Sequence, residues 1–232
     1  MAAPHLGVLA GLRTEADLLI RSLPSDLPTT IRLSGARPEL AHRAAEALVQ
    51  GGATHLLSFG YAGGLDPALA PGTLLLPRSV IAPDGRSYVA DGDWFDRLFA
   101  MLRPLAPVSG SQLGLDEALA SPAEKALAFQ RSRGAAGIDM ESHALAVAAD
   151  AQAVPFLVVR VILDSADQVL PRAAMASARP DGSISIPRLL AALLRRPSEI
   201  GELARLARAK RSAEARLLGC CSRAAASGFG VR

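Results

Sequence analysis

Residues 137–164 read GIDMESHALAVAADAQAVPFLVVRVILD and contain three kinds of segment in succession. GIDM is a short extended piece, and ESHALAVAADAQ has the small apolar residues of a helix that packs tightly against a sheet. PFLVVRVILD is rich in β-branched residues, which predicts a buried strand. An extended piece, a helix and a buried strand in this order are typical of an α/β fold.

The same alternation of strands and helices continues towards the N-terminus, which predicts a largely parallel sheet with helices on both faces. Residues 82–96 mix turn residues with Tyr88 and Trp94, so we expect a loop or hairpin there, and the lid of any site. The other predicted elements are a strand at Leu6–Ala10, a helix from about Glu15 with Thr14 as its N-cap, an amphipathic helix at 39–49, a strand at 55–60 that runs into the glycine-rich turn YAGGLDP, a strand at 73–77 and a helix that begins at the capping box Ser121–Glu124.

Length and composition predict one domain over residues 1–232. The chain is 50% hydrophobic and 20% charged, which suits a single sizeable core. The net charge of +3 is unevenly distributed. Residues 187–223 hold nine basic and three acidic residues (+6), and the rest of the chain holds 16 basic and 19 acidic residues (−3). We therefore expect a neutral to acidic body with a basic C-terminal arm, helical at about 188–218, after a mobile loop at 172–187.

Several classes of protein are excluded by what the sequence lacks. The four histidines have no metal-ligand spacing, and the adjacent Cys220 and Cys221 can neither frame a fold nor form a zinc site. No apolar run approaches the roughly 20 residues that span a bilayer, and the N-terminus has no signal-peptide pattern. Aromatic residues do not alternate with the charges of the basic arm, which argues against nucleic acid as a partner. We expect a cytoplasmic protein without a metal or other cofactor.

Polar residues follow several predicted strands at the edge where ligands bind in open α/β sheets. Glu15 follows the first strand, Gly60 and Tyr61 follow the strand residues 55–59, Asp164 ends the last strand, and GIDM leads directly into Glu141. Carboxylates that converge on one crevice without a metal motif suit acid–base chemistry on a glycosidic bond. A glycine turn beside them would let the backbone approach a ligand.

Each of these residues also has a purely structural interpretation. Glu15 would stabilise its own helix dipole, which on spacing alone is about as good an explanation as catalysis. Asp164 would form an Asx turn at a strand end, Glu141 would cap its helix, and Asp139 would be a solvated edge residue. The residues alone leave these alternatives open.

Three motifs resemble segments of the nucleoside phosphorylase and nucleosidase superfamily, which includes the methylthioadenosine/adenosylhomocysteine nucleosidases. They are FGYAGGLDPAL (59–69), GIDMESHALA (137–146) and VRVILDSAD (159–167), in the family's order and spacing. The resemblance implies a three-layer α/β/α fold with a mixed, largely parallel sheet, and a homo-oligomer. A narrower resemblance, to the hopanoid-associated phosphorylases, is carried by SGARPELAHRAAEAL (34–48), SPAEKALA (121–128), DMESHALA (139–146) and the tail from Arg188 to Leu217.

The resemblance implies cleavage of the N-ribosidic bond of a 5′-substituted adenosine with release of adenine. The narrower group implies that the substrate is lipid-linked, namely adenosylhopane in hopanoid side-chain assembly. Asp164 matches the acid that protonates the purine, Glu141 the residue that binds the ribose hydroxyls, and Met140 the apolar residue beneath the sugar. Ala118 or Leu119 falls where the nucleosidases place an aromatic residue against the base, and we take Leu119 as the candidate. Asp139 matches no site residue, so we expect a structural carboxylate that is paired or solvated.

The nucleophile is predicted from the first strand and its helix. Glu15 matches the glutamate that activates water in the hydrolytic members. Ser58 stands where one phosphorolytic branch has a phosphate-binding arginine, which leaves Arg13 and Arg37, near helix N-termini, as candidate phosphate ligands. We therefore expect water rather than phosphate as nucleophile.

Other functions are compatible with the same residues. The enzymatic alternatives are a purine nucleoside phosphorylase that uses phosphate and a methylthioadenosine/adenosylhomocysteine nucleosidase. The non-enzymatic alternative is a nucleoside-binding protein on the same fold, which would not need a proton donor such as Asp164. The basic arm has an apolar face formed by Ile200, Leu203, Ala204 and Ala207, which predicts either packing on the body or a neighbouring subunit, or contact with the inner face of the membrane.

Overall fold

A computed structural model of the chain describes residues 3–35, 37–171, 173, 185, 187, 191 and 194–231. The predicted mobile loop at 172–187 and the start of the predicted arm, up to residue 193, lie outside the described residues except for the isolated positions just given. No helix in the described part of the chain combines the length and the hydropathy that a membrane span requires.

The described strands form one mixed sheet in which β3 is central. It is parallel to β1 and β9, while β2, β7 and β5 extend the parallel pairing further from the centre. Antiparallel pairing is confined to β8 against β3, β4 against β9, and β6 against β5. A mixed, largely parallel sheet is therefore confirmed. The strands are β1 (Leu6–Ala10), β2 (Thr29–Leu33), β3 (His55–Gly64), β4 (Leu74–Leu75), β5 (Ser79–Ile81), β6 (Ser87–Val89), β7 (Ser111–Gly114), β8 (Gly137–Asp139) and β9 (Phe156–Asp164).

Helices cover both faces of this sheet. One face carries α2 and α5, which pack on each other, and the other carries α1, α3 and α6. The largest core cluster lies between these layers and is mostly aliphatic, as the low aromatic content predicts. The predicted three-layer α/β/α architecture is confirmed. The helices are α1 (Arg13–Ile20), α2 (Pro38–Gln50), α3 (Gly92–Leu102), α4 (Pro122–Arg131), α5 (Ser142–Ala151) and α6 (Ile200–Ala224).

The first helix starts earlier than predicted. It begins at Arg13 after the N-cap position Leu12, so Thr14 lies inside the helix and is not its cap. The carboxylate of Glu15, the third residue of the helix, accepts the backbone N–H of the N-cap residue Leu12 at 2.7 Å, as the acidic residue of a capping box does. Glu15 is thus held at the first turn by its own helix.

The glycine-rich segment after residue 60 is a strand and not a turn. The central strand β3 continues to Gly64, where Gly63 and Gly64 pair with β8. A Cβ atom on Gly63 would lie 3.1 Å from Ile138, and one on Gly64 would lie 3.1 Å from the Asp164 carbonyl oxygen. A side chain at either position would force a neighbouring group to shift by a few tenths of an ångström, so glycine suits this close packing. The turn starts only after the strand.

The predicted lid region contains regular structure. Residues 82–96 contain the turn and second strand of the β5–β6 hairpin, followed by the start of helix α3 after its N-cap Asp91. Trp94 is fully buried, and its indole N–H donates to the Phe229 carbonyl at 2.6 Å. The hairpin expected in this segment is confirmed, and part of the segment belongs to the core. None of residues 82–96 lines the cavity, and a lid here stays a prediction.

The C-terminal helix packs on the body through its second half. In α6 the predicted apolar face is largely unburied: Ile200, Ala204 and Ala207 are exposed and Leu203 is half-buried. The described helix runs from 200 to 224, whereas the arm was expected at about 188–218. The division into one domain with a C-terminal arm remains a prediction. The buried residues of α6 are Ala209, Ala213, Leu217, Cys220, Cys221 and Ala224.

Candidate active site

A cavity of about 210 Å³ opens at the carboxyl ends of β1, β3 and β9. Glu15, Glu141 and Asp164 all line it, so the predicted convergence of carboxylates on one crevice is found. Tyr61 and Met140 also line it, whereas Gly60 lies just behind it. The remaining lining residues are Gly11, Leu12, Ala62, Gly63, Glu117, Ala118, Leu119, Ile138, Asp139, Leu163 and Leu170.

The cavity lies beside a gap in the strand pairing. The parallel partner β9 covers one edge of β3, so β1 and β8 share the other edge, where β1 ends opposite Phe59 and β8 begins opposite Gly63. Between these positions the edge has no strand partner among the described residues. The Tyr61 N–H donates to Glu15 Oε1 at 2.8 Å instead. A side-chain carboxylate thus replaces a strand partner at the site.

Glu15 is held rigidly in a buried position. Its two oxygens accept the backbone N–H groups of Tyr61 and Leu12, at 2.8 and 2.7 Å, and the residue is only 2% exposed. Burial raises the pKa of Glu15 from 4.5 to about 7, although Arg160 opposes the shift. A carboxyl group with this pKa can accept or hold a proton near neutral pH.

Gly60 and Gly11 make room for the two glutamates. A Cβ atom on Gly60, whose φ is +152°, would lie 2.5 Å from Glu15 Cδ. A Cβ atom on Gly11 would lie 3.1 Å from Glu141 Oε1 and 3.4 Å from Glu15 Oε2, so both carboxylates approach the same point. The role of Gly60 is therefore to admit the Glu15 side chain.

Glu141 is buried between a hydroxyl and a guanidinium. Ser34 Oγ donates to Glu141 Oε1 at 2.8 Å, and Arg160 Nη2 lies 3.3 Å from Glu141 Oε2. Burial raises the pKa of Glu141, and Arg160 acts in the opposite direction. Glu141 precedes α5 as its N-cap residue but makes no side-chain cap hydrogen bond. The structural interpretation as a helix cap is thus not supported.

Asp139 has the structural role that was expected of it. Its Oδ1 accepts the backbone N–H groups of Glu141 and Ser142 at 2.9 and 2.7 Å. Its Oδ2 accepts from Ser142 Oγ at 2.6 Å and from Gln112 Nε2 at 2.8 Å. A carboxylate with four donors is fully engaged, so the expectation of a paired, structural carboxylate is confirmed.

Arg160 is a buried residue of the site that the sequence interpretation missed. It is 1% exposed and donates to the Tyr61 carbonyl (3.1 Å) and to Ser58 Oγ (2.6 Å). Its Nε lies 3.1 Å from Asp139 Oδ2, an ion-pair distance, although Nε makes no hydrogen bond there. The signal was a single arginine within a run of buried apolar strand residues, because such a charge requires buried partners.

Asp164 forms a buried ion pair with Lys125, a second residue that the sequence interpretation missed. The Lys125 ammonium donates to Asp164 Oδ2, and the two side chains are 1% and 6% exposed, respectively. Burial raises the pKa of Asp164, and Lys125 opposes the shift. Asp164 thus carries its own counter-ion immediately behind the cavity.

Of the remaining predicted site residues, three line the cavity and two do not. Leu119 and Met140 line it as predicted, and Tyr61 does too, with a buried hydroxyl that has no partner among the described residues. Arg13 is exposed and pairs with Asp17, and Arg37 is exposed at the start of α2. Neither arginine lines the cavity, so the structure does not bring them to the other site residues.

One group of side chains could hold a metal ion despite the absence of metal-ligand spacing. Ligand atoms of His42, Asp116 and His143 lie within 4.8 Å of one another, because α2 packs on α5. His143 Nε2 is 3.2 Å from Asp116 Oδ1, and the rings of His42 and His143 meet edge to face at 5.3 Å. The group lies outside the cavity, and its close approach is explained by this hydrogen bond and ring contact.

Comparisons with solved structures agree with the observed fold. A methylthioadenosine/S-adenosylhomocysteine nucleosidase of Neisseria meningitidis, in complex with methylthio-immucillin-A, superposes with a TM-score of 0.68 at 16% sequence identity. The superposition covers 98% of this chain and 97% of the nucleosidase. The nucleosidase of S. pneumoniae gives a TM-score of 0.70 at 15% identity, with 94% of this chain and 99% of that chain covered. At these identities the similarity establishes the fold.

A futalosine hydrolase of Helicobacter pylori superposes equally well, with a TM-score of 0.68, 15% identity and coverage of 96% of this chain and 94% of that chain. No curated protein sequence matches the chain significantly. The family model described as the phosphorylase superfamily matches residues 34–195, which is more than half of the chain. The chain therefore belongs to the phosphorylase superfamily and is an enzyme of the nucleosidase and phosphorylase class.

Proposed function

We propose that the enzyme cleaves the N-ribosidic bond of a 5′-substituted adenosine with water and releases adenine. The observation that carries this proposal is the position of Glu15, Glu141 and Asp164 around one cavity. Three carboxyl groups around one cavity can serve the nucleophile, the sugar and the leaving base at the same time.

Asp164 is the proposed general acid. Breaking the bond between the sugar and the purine leaves negative charge on the base, and a proton delivered near N7 neutralises it. Asp164 is buried, which raises its pKa and favours the protonated form that an acid needs. Its Oδ2 accepts from Lys125, and we assign the transferred proton to Oδ1.

Glu141 and Met140 are the proposed ribose residues. Glu141 lines the cavity with its carboxylate fixed by Ser34 and Arg160, so it can accept hydrogen bonds from ribose hydroxyls in a defined geometry. Such bonds strengthen as positive charge develops on the sugar ring, which makes them selective for the transition state. Met140 lines the same part of the cavity and offers an apolar surface for the flat, cationic ring.

Water is favoured as nucleophile by the charge around the cavity. Glu15, with a pKa of about 7, can take a proton from water near neutral pH. No arginine or lysine lines the cavity within the described ranges, and its lining includes Glu15, Glu117 and Glu141. Arg160 lies behind it and already faces Asp139 and Glu141. A phosphate dianion would find no cation among these lining residues, whereas a water molecule would meet a base.

The finer features of the proposal concern the substrate and its surroundings. We propose adenosylhopane as the physiological substrate, because apolar side chains such as Leu12, Leu163 and Leu170 line the cavity beyond the polar groups. The exposed apolar side chain of Ile200, at the start of the basic α6, suits contact with the inner face of the membrane. We further propose that the enzyme is cytoplasmic and acts as a homo-oligomer.

The test is adenine release from 5′-methylthioadenosine and from adenosylhopane, each with and without phosphate. We expect release without phosphate, with the 5-substituted ribose as the second product. Release only with phosphate would contradict hydrolysis and support the phosphorylase alternative. Binding without release under either condition would support a nucleoside-binding protein instead. A preference of less than twofold for adenosylhopane over methylthioadenosine would count against the lipid-linked substrate.

A further inference from the structure

Lys125 is a fully buried cation whose donors are all used. It projects from the first turns of α4, is 0% exposed, and donates through Nζ to Asp164 Oδ2, to the Ser165 carbonyl (2.7 Å) and to the Gln168 carbonyl (3.0 Å). An ammonium group has three N–H donors, so this side chain is saturated. A buried charge is tolerated only when it is paired and hydrogen-bonded, and both conditions are met.

We propose that Lys125 is the positioning residue of the acid: it holds Asp164 through Oδ2, leaves Oδ1 to the base, and stabilises the carboxylate that remains after the proton has left. This inference rests on the proposed function, because it assumes that Asp164 donates the proton. Lys125 itself does not line the cavity and does not touch the substrate.

The reaction balances with the groups present. The proton on Asp164 Oδ1 passes to the purine, the bond between the purine and C1′ breaks, and its electron pair stays on the base. Water adds to C1′ and gives a proton to Glu15. Asp164 ends as a carboxylate beside the Lys125 ammonium, so that negative charge forms next to a fixed positive charge and not in isolation. Exchange of protons with solvent then restores Asp164 and Glu15.

Lys125 also joins the two segments that close this end of the cavity. Its carbonyl acceptors, Ser165 and Gln168, belong to the segment after β9, and Leu170 of that segment donates its N–H to the Ala120 carbonyl at 3.0 Å. Leu119 and Leu170, from the two segments, both line the cavity. Loss of Lys125 would therefore loosen the walls as well as change the acid, and an experiment must separate the two effects.

The pH dependence of the reaction separates them. Lys125→Met keeps the length of the side chain and removes its charge, and the exposed Lys210 provides a matched control, Lys210→Met. Without the ammonium the Asp164 carboxyl keeps its proton to higher pH, so the falling limb of kcat/KM should move up by about one pH unit or more. At neutral pH kcat should fall about tenfold or more, because the acid is weaker. If Lys125→Met only loosened the two segments that close the cavity, KM would rise and the falling limb of the pH profile would stay at the same pH.

A second measurement does not depend on a Lys125 variant that might fail to fold. The chain has two lysines, so wild-type protein labelled with 13C at lysine Cε gives two signals. We expect the Lys125 signal to move over the pH range of the falling limb, and Asp164→Asn to remove that movement. An unmoved Lys125 signal, or an unchanged limb in folded Lys125→Met, would overturn the inference. Absence of cleavage by the wild type would instead overturn the proposed function, and the labelled signal would still report whether the pair titrates together.

Discussion

At one end of the cavity Glu15, Asp139 and Glu141 surround a single buried guanidinium, that of Arg160, whereas at the other end Asp164 has a buried ammonium of its own. The first end has more carboxyl groups than cations, so burial drives protons onto Glu15 and Glu141. The second end is balanced one to one.

This contrast assigns different chemistry to the two ends. An end with excess carboxylate is suited to accept a proton from water and to stabilise a cationic sugar. A balanced end is suited to give up one proton to a base without leaving an isolated buried charge. Two kinds of site thus arise from the same residue type because their counter-ions differ.

The largest expected effect comes from removing the carboxyl group of Asp164 at the balanced end of the cavity. Asp164→Asn keeps the shape of the side chain and removes its proton, so kcat should fall by about 10³-fold, within the range of general acid catalysis. Binding of a nucleoside analogue should change little, since the amide still fills the same space. Adenine release and calorimetric binding measure the two effects.

The matched control is Asp167→Asn, because Asp167 is exposed three residues further along. It should retain turnover within a factor of two. Turnover of Asp164→Asn within tenfold of the wild type would refute the assignment of the acid.

Glu15→Gln removes the proposed base at the carboxylate-rich end of the cavity, and we expect kcat/KM to fall by about 300-fold. In the wild type the rising limb of the pH profile should reflect the Glu15 pKa of about 7. The variant should lose this limb. Glu39→Gln, at an exposed position in the first turn of α2, is the control and should keep it. A rising limb that persists in Glu15→Gln would assign it to another group.

The same carboxyl group links stability to pH. The pKa of Glu15 rises on folding from 4.5 to about 7, so the folded state binds the proton more tightly and is favoured by it below pH 4.5. This contribution is lost as pH rises towards 7, and its full size is about 3 kcal/mol at 1.36 kcal/mol for each pKa unit.

Urea unfolding at a series of pH values measures this linkage. The free energy of unfolding of the wild type should fall between pH 4.5 and 7, and Glu15→Gln should show a shallower decline over the same range. Equal slopes for the two proteins would show that Glu15 is not protonated on folding. Glu141 and Asp164 contribute in the same direction, so the decline should be reduced and not abolished.

The sequence predicted those parts of the fold that have local signals. The capping box at Ser121, the amphipathic α2 and the β-branched run of β9 are found where they were expected. Strand β2 was missed because its residues TTIRL are only half-buried and carry a weak pattern. Helix α3 was missed because the turn residues at its start concealed the apolar spacing of Trp94, Phe95 and Leu98.

The site was predicted through its carboxylates but not through their counter-ions. Glu15, Glu141 and Asp164 follow predicted strands or extended segments, and the topology of a parallel sheet then places them at one edge. Lys125 and Arg160 could not be assigned in this way, because Lys125 reaches Asp164 across 39 positions and Arg160 reaches Asp139 from a separate strand. Such pairs depend on how α4 and β9 pack, which no local pattern reports.

The smallest expected effect concerns the two arginines that lie outside the cavity. Arg13 pairs with Asp17 at the surface, and Arg37 is exposed, so neither charge contacts a site carboxylate. The double variant Arg13→Gln/Arg37→Gln should keep kcat/KM within a factor of two, in the presence and in the absence of phosphate. A stimulation of the wild type by phosphate that disappears in the double variant would show that an anion does reach the carboxylate-rich end. These arginines would then have to supply the cation that the described cavity lining lacks, and phosphate would replace water as the proposed nucleophile.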